Sequence, residues 1–123
     1  MAKVDIFLDV MMHSADQTHL WHLQTTSYAM HQALGGYYDG IRDGMDDVAE
    51  KCMGHKDVRL KAKGGMPLEN FSNDGQVMKH LETVEKYLKE LNIEIGPEAS
   101  HIVNAVDVLR ELVAKTKYLL TLK

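Results

Sequence analysis

Three of the chain's seven histidines, His19, His22 and His31, fall inside the stretch "HLWHLQTTSYAMH". Farther along, Asp46 and Glu50 stand four residues apart, so on a helix they share one face. Imidazole nitrogens with paired carboxylates form a donor set that suits iron or zinc better than calcium. The single cysteine, Cys52, excludes both an intrachain disulfide and the Cys-rich zinc frameworks, so any metal here is held by His, Asp and Glu.

The apolar periodicity predicts the elements that must position these groups. A first helix spans about Val4 to Gln24, with the stripe Ile6/Phe7, Val10/Met11, Ser14, Thr18 and Trp21. Thr25, Thr26 and Ser27 supply a bend and a fresh N-cap, Ser27 or Thr26. A second helix follows to about Met53 and ends at Gly54. Residues 55–73, with Gly64, Gly65 and Pro67, read as a crossover that spans the length of a bundle. A third helix covers about Asp74 to Leu91, capped by Asn73 or Ser72. The segment "NIEIGPEAS" breaks the chain, with "NIEI" the only strand candidate, and a fourth helix runs to about Leu120. The expected class is all-α: two helical hairpins joined by a long crossover, in one domain of residues 1–123.

In such a hairpin, His19 or His22 meets His31 at similar height on adjacent antiparallel helices. Asp46 lies fifteen residues beyond His31, about 22 Å along a straight helix, too far to share an ion within one chain. If two hairpins pack antiparallel across a two-fold axis, the histidine end of one meets the carboxylate end of the other. The site is then shared between subunits of a homodimer built through the first two helices.

A formal charge of −4 argues against a nucleic-acid footprint, which needs clustered Lys and Arg. The one dense basic run, "HKDVRLKAK" at 55–63, reads as a solvated loop. No apolar run reaches the ~20 residues of a membrane span, and Asp5 and Asp9 interrupt the opening "MAKVDIFLDVMM" as no secretory signal would. A cytoplasmic location is expected, that of the host if the chain is phage-encoded. Gly36, Gly40 and Gly44 recur every fourth residue of the second helix, which predicts a face open to close approach; the alternative is a loop at Gly35-Gly36.

The series His19, His31, Asp46, Glu50, at intervals of 12, 15 and 4 and in the contexts "HLW", "MH" and "DDVAE", resembles the Dps miniferritins of the ferritin-like superfamily. Residues 19–54 are similar also to small ferritin-like proteins encoded by tailed phages. The resemblance implies a ferritin-like four-helix bundle. It implies that the four positions bind iron at a dimer interface and promote oxidation of Fe(II) to Fe(III) by peroxide, with assembly into a dimer or a higher shell. His22 is then an additional ligand or a supporting group. Gly35 stands where the family often has an aspartate, and the basic tail with which some Dps proteins bind DNA is absent, so DNA condensation is not implied.

Two other functions fit the residues. One is a helical structural or interaction protein, with a metal that holds the dimer without turnover. The other is a zinc-dependent enzyme using His19, His22 and His31 as a three-histidine site. "EASH", Glu98 to His101, matches the Glu-x-x-His of intrachain di-iron bundles but has only "DQTH", Asp16 to His19, at the opposite bundle end for a partner. Met11, Met12, Met30 and Met45 read as core filler, Trp21 and Tyr28 as core or radical quenchers, and His13, His55 and His80 have no assigned role.

Overall fold

A computed structural model describes residues 2–123, and these form an all-helical protein. Helix α1 (Ala2–Asp5) is a single turn; α2 (Phe7–Gln24), α3 (Tyr28–Lys56), α4 (Asp74–Ile95) and α5 (Ser100–Leu119) are long, and a 3-10 turn at Pro97–Ala99 leads into α5. Helix α2 packs antiparallel on α3, α3 on α5, and α5 on α4.

The stripe expected on α2 is buried at Phe7, Met11, Ser14, Thr18 and Trp21, whereas Ile6 is exposed. The main core joins Phe7, Met11, Tyr37, Ile41, Val48, Leu81, Leu88, Val106 and Leu109 from all four long helices. A smaller cluster of Trp21, Met30, Leu34 and Val77 closes the end that holds the α2–α3 bend. Met11 and Met30 are core residues as expected, but Met12 is exposed, and so is Tyr28.

Several boundaries differ from the sequence reading. The first helix is interrupted at Ile6, because α1 is anchored to α4. Its Lys3 and Val4 N–H groups donate to the Glu94 carboxylate at 3.1 and 2.9 Å, and Tyr87 donates to the Lys3 carbonyl at 2.6 Å. Helix α3 continues through Gly54 to Lys56 and ends on the left-handed Asp57 (φ 53°). One interior glycine costs about 1 kcal/mol, which the buried Cys52 and the packed Met53 on the same turn offset. "NIEI" is the last turn of α4, not a strand, and ends at Gly96 with φ 82°. Ser27 and Asn73 are the N-caps of α3 and α4, accepting from Met30 N and Gln76 N.

Residues 57–73 contain no helix and run alongside α2 in the same direction, held by one polar stripe of that helix. Asp9 accepts from Lys63 N and Gly64 N, and its carboxyl is lowered by those two backbone donors, Gly64 first. The His13 ring donates through Nε2 to the Pro67 carbonyl at 3.0 Å. Gln17, almost fully buried, donates to the Glu69 carbonyl and accepts from Glu69 N, both at 2.8 Å. Gln24 accepts from Phe71 N. Asp9, His13, Gln17 and Gln24 recur at about one helical turn or two, so the crossover is pinned from Lys63 to Phe71.

The glycine face of α3 is used, but by side chains rather than by another backbone. A Cβ at Gly40 would come within 2.6 Å of Leu112, and one at Gly44 would overlap Leu109, both on α5. Nothing lies within 4 Å of the corresponding position at Gly36, and the helix is unbroken at Gly35-Gly36.

Candidate functional site

The tight bend at residues 25–27 sets the last turns of α2 beside the first turns of α3, which brings His22 to His31. Their rings stack with centroids 3.7 Å apart and planes 16° from parallel. His22 Nδ1–H donates to the His31 carbonyl at 2.6 Å, and His31 Nδ1–H donates to the His22 carbonyl at 2.8 Å. Because a carbonyl can only accept, the neutral form of each ring is the tautomer with its proton on Nδ1 and its lone pair on Nε2. The His22 carbonyl is among the last four of α2, which have no intrahelical donor, so His31 satisfies it. Gly35 makes room for the pair, since a Cβ there would stand 3.2 Å from His22 Cε1.

His19 lies one turn back on α2, its ring 6.0 Å from that of His22. It stacks on Tyr38 of α3, at 4.1 Å and 10°, and Tyr38 meets His22 edge-on at 5.3 Å. Arg42 stands 5.9 Å above the Tyr38 ring and is paired with Asp16 at 3.2 Å. The three histidines are half-buried, open to solvent on the outer surface of the hairpin.

Asp46 and Glu50 are exposed on α3. Neighbouring Asp47 is tied to Lys51 at 2.7 Å, whereas Asp46 and Glu50 take part in no salt bridge among the described residues. Helix α3 is continuous between His31 and Asp46, so the separation of about 22 Å stands. Thus His19, His22 and His31 are gathered and the carboxylates are not. Among the described residues no group of three or more His, Cys, Asp or Glu side chains in one chain is arranged to hold a metal ion. That holds for the three histidines of the zinc alternative, since His19 faces Tyr38. Glu98 and His101 sit at the other end of the molecule, with the His101 ring 5.2 Å from that of His55.

A second polar cluster has no signal in any one segment. Ser14 Oγ lies 2.9 Å from Tyr37 OH and 2.9 Å from His80 Nε2, linking α2, α3 and α4 through the core. His80 was without a role in the sequence; here burial, and secondarily His13, push its pKa down to about 4. Burial pushes the Tyr37 phenol far above the usual range. Spacing alone shows only that Ser14 shares a stripe with Met11, Thr18 and Trp21.

The fold and this surface define an all-α protein with a clustered-histidine face on a helical hairpin. The chain belongs to the family of unknown function DUF5856, whose model matches residues 22–120. That span contains His22, His31, Asp46 and Glu50, and leaves His19 outside. No curated protein and no solved structure matches the chain. No helix among the described residues is long and apolar enough to cross a membrane.

Proposed function

We propose that the chain is a ferritin-like protein of Dps type that binds ferrous iron and oxidises it at a site shared by two copies across a two-fold axis. His19 and His31 of one copy and Asp46 and Glu50 of the other are the ligands, with His22 as an added ligand or as the group that fixes His31. The reading rests chiefly on the reciprocal His22–His31 pair. Metal-binding imidazoles characteristically donate their second ring N–H to a carbonyl or carboxylate, which leaves the other nitrogen as the ligand. Both rings are held in that form.

The acidic half of α3 complements the histidine half when a second hairpin is laid antiparallel on the first, so one operation places both carboxylates against both imidazoles twice. Iron is the substrate. Two Fe(II) ions each give one electron to peroxide, its O–O bond breaks, and with two protons two waters form. The carboxylates favour the ferric product, and the neutral imidazoles limit the negative charge gathered at the site.

A second reading is favoured by the stacking: the pair is a clasp that ties α2 to α3 in a helical interaction protein, and any metal there is structural. Subunit mixing tests the shared site. His31→Ala in one preparation and Asp46→Asn with Glu50→Gln in another should each abolish oxidation. When the two are unfolded, mixed and refolded, each mixed dimer has one wholly intact site, so random pairing should restore about a quarter of the wild-type activity. Heterodimers that form and neither bind nor oxidise iron would refute the shared site.

A further inference from the structure

Tyr37 is fully buried, and among the described residues its hydroxyl has a single hydrogen-bond partner, Ser14 Oγ, at 2.9 Å. A buried hydroxyl proton without an acceptor is costly, so Tyr37 donates to Ser14. Ser14, also fully buried, must then turn its own proton to its other partner, His80 Nε2, at 2.9 Å. That direction fixes His80 with its proton on Nδ1. Trp21 stands edge-on to the His80 ring, 5.4 Å away at 89°, and limits its rotation. The His80 ring lines a cleft of about 440 Å³ together with His13, Gln17 and Lys79. A phenol in the core is therefore wired through two aligned hydrogen bonds to a base at a cleft.

We propose that Tyr37 is a one-electron redox residue, and that Ser14 and His80 carry its phenolic proton toward the cleft. A buried tyrosine can be oxidised cheaply only if its proton leaves with its electron, because a charged phenol radical has no solvent to stabilise it. The electron leaves toward the histidine face, where the next residue, Tyr38, stacks on His19. At the same time the Tyr37 proton moves to Ser14 Oγ and the Ser14 proton moves to His80 Nε2. The products are a neutral tyrosyl radical and an imidazolium. The oxidant is a hydroxyl radical, formed at a site that holds a single Fe(II): that ion gives one electron to peroxide to yield Fe(III), hydroxide and the radical, and Tyr37 supplies the electron that a second Fe(II) otherwise gives. It takes the Tyr37 electron to become hydroxide. Re-reduction of Tyr37 runs the proton moves backwards. His80, held neutral by burial, has the lone pair this step needs.

The source of the oxidant rests on the iron-oxidising reading, so the test has one arm without iron. The full-length protein is oxidised by flash-generated ruthenium(III) tris-bipyridine, and separately by Fe(II) with peroxide, and the radical is followed by electron paramagnetic resonance. In both arms a long-lived tyrosyl signal should appear that is absent in Tyr37→Phe. Its lifetime should fall at least about tenfold in Ser14→Ala and in His80→Gln, variants that keep Tyr37 but break the relay. Thermal melts establish that each variant is folded, and the two relay variants stand in for one another. A Tyr37-dependent signal in the ruthenium arm with no iron oxidation keeps the relay and removes the iron reading. Iron oxidation with no Tyr37 signal in either arm, or a signal whose lifetime is unchanged in both relay variants, overturns the relay.

Discussion

His22 and His31 each donate Nδ1–H to the other's backbone carbonyl, at 2.6 and 2.8 Å, while their rings stack at 3.7 Å. The acceptors are main-chain oxygens, so each imidazole is oriented by the partner's backbone and not by the partner's ring nitrogen. Replacing one ring leaves the other's acceptor in place. This makes the two residues separable in experiment.

With nitrogen and oxygen ligands and no thiolate, the protein should bind Fe(II), Co(II) or Zn(II) in preference to Mg(II) by titration calorimetry. His31→Ala should lose binding, and His22→Ala should weaken it roughly tenfold, the usual scale for loss of a supporting group. Equal affinity for Mg(II) would remove the metal reading.

Acid should destabilise the fold through His80, whose pKa falls from 6.5 to about 4 on folding. Between these values the unfolded chain binds a proton that the folded chain does not, so unfolding free energy rises with pH across the window and is lost on acidification. The loss reaches roughly 3 kcal/mol at the acid end. Thermal melts between pH 7 and pH 4 should show this component in the wild type and lack it in His80→Gln. Parallel pH profiles for the two would show that His80 is not the titrating group.

Two glycines on one helix face should respond in opposite senses to alanine. At Gly36 an added methyl meets nothing within 4 Å, and the gain in helix propensity is about 1 kcal/mol, or roughly 3–6 °C in Tm. At Gly44 the methyl overlaps buried Leu109, and overpacking of about 1–3 kcal/mol opposes the same gain. Gly44→Ala should therefore melt below Gly36→Ala. A Tm for Gly44→Ala equal to or above that of Gly36→Ala would show that α5 yields freely at Leu109.

Gln17 holds the crossover by both ends of its amide, against the carbonyl and the N–H of Glu69. Gln17→Ala leaves Glu69 N without its acceptor and should cost about 1–3 kcal/mol. The loosened segment 57–73 should then be cut first in limited proteolysis, faster than in the wild type. Unchanged cleavage and stability would show that Asp9, His13, Gln24 and Trp21, which donates to the Glu69 carbonyl at 2.9 Å, hold it without Gln17.

Features that depend on one stretch of chain were legible in the sequence. The 3.6-residue periodicity marked the four long helices, Ser27 and Asn73 were among the readable cap candidates, and the bend at 25–27 implied that His19 or His22 would meet His31. The length of α3 also separates His31 from Asp46, because helix rise is a local property. Whatever required two elements in a particular register was settled only in three dimensions. Ser14 and His80 are far apart in the chain, and nothing in either neighbourhood encodes a 2.9 Å approach through the core. Likewise, Asp9, His13, Gln17 and Gln24 look like scattered polar residues until the crossover lies against them, and Glu94 looks like a surface charge until α1 docks on it. Local spacing follows from the geometry of one helix; pairing across helices follows from how complementary apolar faces slide to their best packing, and that minimum belongs to the whole chain at once.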